Sequence, residues 1–318
     1  MRQSFIKVLT ELARKDEKIF LLTGDLGFSV FEKFREEFPH RFLNIGVAEQ
    51  NMIGIASGLA LSGKIAFVYS IIPFLIMRPF EQIRLDICYQ NVNVKIVGSG
   101  GGFAYGSAGC THHATEDISI MRSLPNMTVI CPADPVETEL AIKCSVEYDG
   151  PVYIRIGREK QKIYYKEPEF KIGKGIIVRE GDHITIISTG DMLKNVLEAA
   201  RKLSEMNIDA RIISMHTVKP IDAAVILKSA NETKAIFTVE EHNIIGGLGS
   251  AVAEVLMESR CKNIIFRRIG IPDTFAKKVG SQEYLKEVYG LSVDSILKTI
   301  VEVYDGNRRK RNKKKSFL

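Results

Sequence analysis

Short runs rich in isoleucine and valine recur along this chain, each separated from the next by a segment with helical spacing. They are KIFLLTG (18–24), KIAFVYS (64–70), VNVKIVG (92–98), MTVIC (127–131) and PVYIRI (151–156). A run apolar at successive positions is buried on both faces, and such strands with helices between them form parallel sheets covered on both sides. The pattern stops at 160–172, KQKIYYKEPEFKI, which is charged, contains a proline and lacks helical periodicity. It resumes with HITIIST (183–189), DARIIS (209–214), AIFTVEE (235–241) and NIIFRRIG (263–270), interleaved with helical segments at 192–206, 220–229, 248–259 and 292–303. The expected architecture is α/β: two parallel-sheet sandwich domains over 1–160 and 173–304, joined by a linker at 161–172. A chain of 318 residues, 45% hydrophobic, is long enough to bury two cores.

Charge and cysteines narrow the function classes. The net charge of +6 is local: residues 307–318, NRRKRNKKKSFL, hold seven Lys/Arg and no acid, leaving 37 basic against 38 acidic residues in the remainder. A basic end on a neutral body, without interleaved aromatics, reads as a disordered solubilising tail (305–318); no nucleic-acid role is expected. No apolar run approaches the ~18 residues of a membrane span, and MRQSFIKVLTELARKDEK is an amphipathic helix with acidic residues rather than a signal peptide. Five scattered cysteines without a CxxC fit the reducing cytoplasm and no structural zinc.

Within the first domain one acid stands apart. In 42-FLNIGVAEQNMIGIASGLA-60, Glu49 falls in the first turn of a Gly/Ala-rich helix, just beyond the carboxyl end of a strand. Open α/β sheets bind ligands there. Walls of Val47, Met52 and Ile53 would desolvate the carboxyl group and suit it to share a proton with a heterocyclic nitrogen. The bland alternative is an acid favoured by the helix dipole. Further along, 98-GSGGGFAYGSAG-109 ends in His112-His113; its glycines lie too far from the next helix for a dinucleotide fingerprint, and no ligand spacing makes the histidines a metal site.

The phrase GVAEQNMIGIASGLAL resembles the glutamate motif of transketolases and 1-deoxyxylulose-5-phosphate synthases. The likeness continues through 111-THHATEDISIMRSLPNMTVICPAD-134, 151-PVYIRIGRE-159 and 238-TVEEHNIIGGLGSAVAE-254, and spans about residues 1–303. It is to the carboxyl-terminal half of transketolase, a pyrimidine-binding domain followed by a small C-terminal domain. The family's metal-holding Gly-Asp-Gly is missing: Gly24-Asp25, Gly181-Asp182 and Gly190-Asp191 are not followed by glycine. The resemblance therefore implies one subunit of a split transketolase, paired with an N-terminal subunit that holds Mg2+ and the diphosphate of thiamine diphosphate. It implies dimerisation through both domains, two copies of each chain, and transfer of a two-carbon ketol unit between sugar phosphates.

The resemblance also assigns roles. Glu49 would hydrogen-bond the cofactor's pyrimidine nitrogen, with Asp25 nearby and Phe74, Ile72 and Phe80 from 69-YSIIPFLIMRPFEQIR-84 as its hydrophobic shelf; Phe80 reads equally as core. His112 would bond substrate hydroxyls, and Ser29, Arg155 and Arg158 would bind substrate phosphate, with Arg2 a further match. Arg155 and Arg158 would serve equally as structural ion pairs. The chain departs from the family in three places: His113 where it has Gln, Ala108 where it has an Asp reading the C2 hydroxyl, and Gly100-Gly101 where it has a phosphate-reading His or Arg. His242 and Gly246, Gly247 and Gly249 read as structural. Alternatives are a deoxyxylulose-type or 2-oxoacid dehydrogenase β-type subunit, and a non-catalytic scaffold.

Overall fold

The computed structural model describes residues 1–27, 29–158, 163–164, 168–259 and 264–315, with side chains through Gly306. Two sheets organise them. The first takes β1 (Ile19–Thr23), β2 (Phe42–Asn44), β3 (Ile65–Ile71), β4 (Val94–Ser99), β5 (Thr128–Ile130) and β6 (Val152–Ile156). The second takes β7 (Ile176–Arg179), β8 (Ile184–Ser188), β9 (Ala210–Ser214), β11 (Ala235–Asn243) and β12 (Ile265–Ile271), while β10 (Thr217–Lys219) lies between β9 and β11 in sequence. The strand orders are β10-β5-β6-β4-β3-β1-β2 and β12-β11-β8-β9-β7. Apolar clusters cover both faces of each sheet, so every residue of β3 and β4 is buried. This is the physical content of the unbroken Ile/Val runs. The α/β two-sheet architecture stands, with one refinement: an antiparallel edge strand closes each sheet, β10 on β5 and β7 on β9.

Strand β10 crosses the expected domain boundary. It belongs by sequence to the second unit yet completes the first sheet. Lys219 Nζ donates to the Arg122 and Leu124 carbonyls, and the Cys131 amide donates to the His216 carbonyl at 2.6 Å.

Local differences from the sequence reading have local causes. The helix expected near 78–90 begins earlier, at Ile72–Met77, because Pro73 suits a first helical turn. It breaks at Pro79 and resumes as Phe80–Gln82 and a π-helical stretch, Ile83–Tyr89. A helix at Gln282–Val288 was not anticipated. The last helix, Val293–Lys315, runs on where a disordered tail was expected from 305, since Arg and Lys are good helix formers. Residues 316–318, much of the expected linker and Cys261 lie outside the described residues. Among the described residues, no helix is long and apolar enough to cross a membrane.

Candidate active site

The chain runs outward from β1 to β2 and then returns to the other side of β1 for β3, which makes the carboxyl ends of β1 and β3 a topological switch point. Glu49 sits there. It opens the helix Glu49–Leu61, reached from β2 through Gly46 in a left-handed conformation (φ 75°). A Cβ on Gly24, just past β1, would lie 3.9 Å from Glu49 Oε1 and 3.8 Å from Ser70 Oγ at the end of β3. The carboxyl group is 3% exposed. Met52 and Ile53 are buried as expected, but Val47 is 71% exposed, on the rim of the open cleft that Glu49 and Arg78 also line.

Glu49 is instead met by a cation. Arg78 Nη1 donates to both carboxylate oxygens, at 3.0 and 2.9 Å. The same guanidinium lies over the ring of Phe74, 4.2 Å from its centroid. Phe74 meets His112 edge-on with ring centroids 5.0 Å apart, and His112 meets Tyr105 at 6.1 Å. Arg158 stacks on Tyr105 at 4.7 Å. Six side chains thus form a continuous row: Glu49, Arg78, Phe74, His112, Tyr105, Arg158.

The row brings together four of the residues expected from sequence and adds two. Arg78 carried a signal, being the lone cation in the apolar stretch IIPFLIMRPF. Tyr105 is explained by Gly100, held at φ 90°, where a Cβ would fall 2.1 Å from the Tyr105 ring. The glycine that stands in place of a phosphate-reading side chain thus makes room for this tyrosine.

Several expected site residues are placed elsewhere. Arg155 is buried, its Nε donating to Asp117 at 2.8 Å and its Nη2 to the Ala114 and Glu241 carbonyls at 3.1 and 2.9 Å. Those bonds make it an internal brace rather than a phosphate ligand. Position along the chain is the reason: Arg155 lies within β6, covered on both faces, whereas Arg158 lies beyond its end and is exposed. Ile72 is fully buried, with its Cγ1 2.6 Å from where a Gly98 Cβ would be, and belongs to the apolar core. Phe80 packs against the same core, so both are core residues rather than shelf.

Asp25 and Ser29 lie on the exposed turn after β1, both at positive φ (56° and 62°). Their bonds go to Asn44 and Glu32, and among the described residues neither makes a contact that joins the row. Arg2 is half-buried on the first helix.

The two adjacent histidines face opposite ways. His113 is buried, stacked edge-on with Phe103 at 5.2 Å, and its Nε2 lies 3.3 Å from the Gly106 carbonyl. Burial lowers its pKa. His112 faces the row and pairs with Thr111 Oγ1 through Nδ1 at 2.9 Å. In the second unit, the glycine-rich turn is closed from within: Glu240 accepts from the Leu248 and Gly249 amides at 2.7 and 2.8 Å.

The residues at the switch point fit the aminopyrimidine half of thiamine diphosphate. A buried carboxyl group faces donors, Phe74 already stacks a flat nitrogen-rich group, and the buried Ser70 hydroxyl has no hydrogen-bond partner among the described residues. For the diphosphate half, no group of three or more His, Cys, Asp or Glu that could hold a metal occurs among the described residues.

Comparison with known proteins gives the family. The profile of the transketolase pyrimidine-binding domain matches residues 1–162, and that of the transketolase C-terminal domain matches 173–296. A 6-deoxy-6-sulfo-D-fructose transketolase subunit of Clostridium sp. is 42% identical, over 95% of this chain and 94% of that one. A subunit of the apulose-4-phosphate transketolase of Phocaeicola vulgatus is 40% identical, over 95% of this chain and 96% of that one. Among solved structures, a split gene transketolase described as an inactive beta4 tetramer superposes with a TM-score of 0.88 at 40% identity, covering 96% of this chain and 98% of its own. With both domain profiles in order and relatives alike over nearly their full length, the chain belongs to the transketolase family, as a C-terminal subunit of the split type.

Proposed function

We propose that this chain is the pyrimidine-side subunit of a two-chain transketolase that moves a two-carbon ketol unit between a ketose and an aldose. One observation carries the reading: the contiguous row from Glu49 to Arg158. It places an acid and an aromatic shelf at one end, an imidazole in the middle and an exposed guanidinium at the other. Thiamine diphosphate, when bound, supplies the nucleophilic carbon for carbonyl chemistry. Glu49 holds a proton at the pyrimidine nitrogen, Phe74 orients the ring, His112 bonds the sugar hydroxyls, and Arg158 binds an anionic group at the far end of the sugar.

The substrate class is an anionic ketose. The relatives named for sulfofructose and apulose phosphate support this, and Arg158 is the residue suited to the anion. The partner chain would hold Mg2+ and the diphosphate through a Gly-Asp-Gly motif, in a cytoplasmic assembly of two copies of each chain. The beta4 neighbour described as inactive supports the need for that partner.

The test is co-expression with a chain carrying Gly-Asp-Gly, followed by assay of ketol transfer with phosphorylated and free sugars. The isolated chain should be inert and the complex active. Glu49→Gln should abolish turnover with an unchanged fold. Arg158→Ala should cost about 1.5–3 kcal/mol, roughly ten- to hundredfold in kcat/KM, on anionic sugars only. Turnover by the isolated chain, or release of carbon dioxide from pyruvate in place of ketol transfer, would overturn the reading.

A further inference from the structure

The loop that carries Tyr105 and His112 is built partly on the second domain. Its base is closed by two backbone bonds between Gly102 and Ala114, both 2.9 Å. Next to that base, Phe103 is fully buried in the apolar cluster of the second sheet, where its ring meets Tyr289 at 5.2 Å. The Phe103 amide donates to Glu241 Oε1 at 2.7 Å. Glu241 lies on β11 and is 2% exposed. Gln282 Nε2 donates to both of its carboxylate oxygens at 3.0 and 2.9 Å, and Lys286 Nζ is 3.4 Å from Oε2. A Cβ on Gly102, held at φ 61°, would fall 2.5 Å from Glu241 Cδ, so only glycine lets the loop approach. A second tie follows three residues after Phe103, where the Gly280 amide donates to the Gly106 carbonyl at 3.4 Å.

A buried, paired carboxylate is a poor stabiliser compared with an apolar side chain of similar volume, so its placement calls for another reason. One of its four bonds and close contacts reaches the start of the loop, at the Phe103 amide, and the other three, from Gln282 and Lys286 of the second domain, fix the carboxylate that accepts it.

We propose that Glu241 is a positioning residue: from the second domain, with Gln282 and Lys286, it sets the register of loop 102–114 and so the place of His112 and Tyr105 against the substrate. The proposal rests on the ketol-transfer reading for its kinetic part, whereas its structural part stands on the loop alone. In this arrangement the C-terminal domain shapes the substrate wall without touching substrate.

The experiment uses the reconstituted two-chain complex with wild type, Glu241→Ala, Glu241→Gln and Gly102→Ala. Amide exchange over 102–114, kcat and KM for the ketose, and the thiamine diphosphate Kd by calorimetry are read together. Glu241→Ala should speed exchange in that segment at least tenfold and raise ketose KM at least fivefold, with the cofactor Kd within twofold of wild type. Glu241→Gln keeps an acceptor for the Phe103 amide and should restore KM to within about threefold. Gly102→Ala, pressing on the same contact from the loop side, should reproduce the Glu241→Ala pattern even if that variant folds poorly. Unchanged exchange overturns the proposal, as does a fall in kcat alone, which is what loss of folded enzyme would give. If wild type shows no ketol transfer, the functional reading fails, and unchanged loop exchange in the variants would still overturn the anchorage.

Discussion

Adjacent residues of one chemical type end up with opposite fates in this chain, and the cause is burial. His112 and His113 are neighbours, yet one ring meets Phe74 and Tyr105 while the other is packed on Phe103. The expected outcome of His112→Ala in the two-chain complex is a tenfold or greater loss of kcat/KM for sugars. His113→Gln, which keeps a donor for the Gly106 carbonyl, should lose less than threefold. Steady-state kinetics of both variants checks this, and the reverse order would transfer the substrate role to His113. Arg155 and Arg158 divide in the same way. The motif that contains them was legible, but the choice between phosphate ligand and brace depended on Asp117, 38 residues away in sequence.

At the scale of elements, local signals were strongest where a side chain meets its own backbone. Asp134 caps the helix Pro135–Glu147: its Oδ1 accepts from the Glu137 amide at 2.8 Å and its Oδ2 from the Tyr164 amide at 3.0 Å. Pro135 at the first helical position and a glutamate at the third complete the start signal. Asp134→Ala should destabilise the chain by about 1–2 kcal/mol, because the helix loses its cap and Tyr164 loses an acceptor. Asn at this position should cost less than half as much. Denaturant melts of the two variants measure it, and equal losses would show that the charge, rather than the acceptor, matters. The broken helix Ile72–Met77 and the stretch after Pro79 were less legible, since their apolar residues fit a core helix in more than one register.

The whole molecule depends on contacts that tie the two sheets together, and one of them titrates. Burial raises the pKa of Glu137 from an ordinary value of 4.5 to about 8, and that of Glu240 to about 7. Glu137 Oε1 also accepts from Ser214 Oγ of the second sheet at 2.7 Å. A carboxyl group with a raised folded pKa keeps a proton that the unfolded chain releases above 4.5. Its contribution is complete below that pH and is lost as pH climbs through 7 to 8, at no more than about 1.4 kcal/mol per pH unit for each proton. The melting temperature should therefore fall between pH 6 and 8.5, and Glu137→Gln should flatten that fall. Identical slopes for variant and wild type would show that Glu137 is already ionised in the folded chain at pH 6.

Taken alone, the amino-acid order determined that two α/β sheets would form, because runs apolar at successive positions can be satisfied only by cover on both faces. It also determined that Glu49 would stand where a strand hands over to a helix, a matter of neighbours in sequence. The tertiary structure alone decided that Arg78 meets Glu49, that Tyr105 bridges His112 to Arg158, that β10 completes the other unit's sheet, and that Glu241 reaches loop 102–114. Apart from the Tyr105–His112 contact within one loop, these join residues distant in sequence, from 29 positions for Glu49 and Arg78 to 138 for Phe103 and Glu241. Propensity and periodicity extend only over a turn or a strand, so contacts at such separations are set by how whole elements pack.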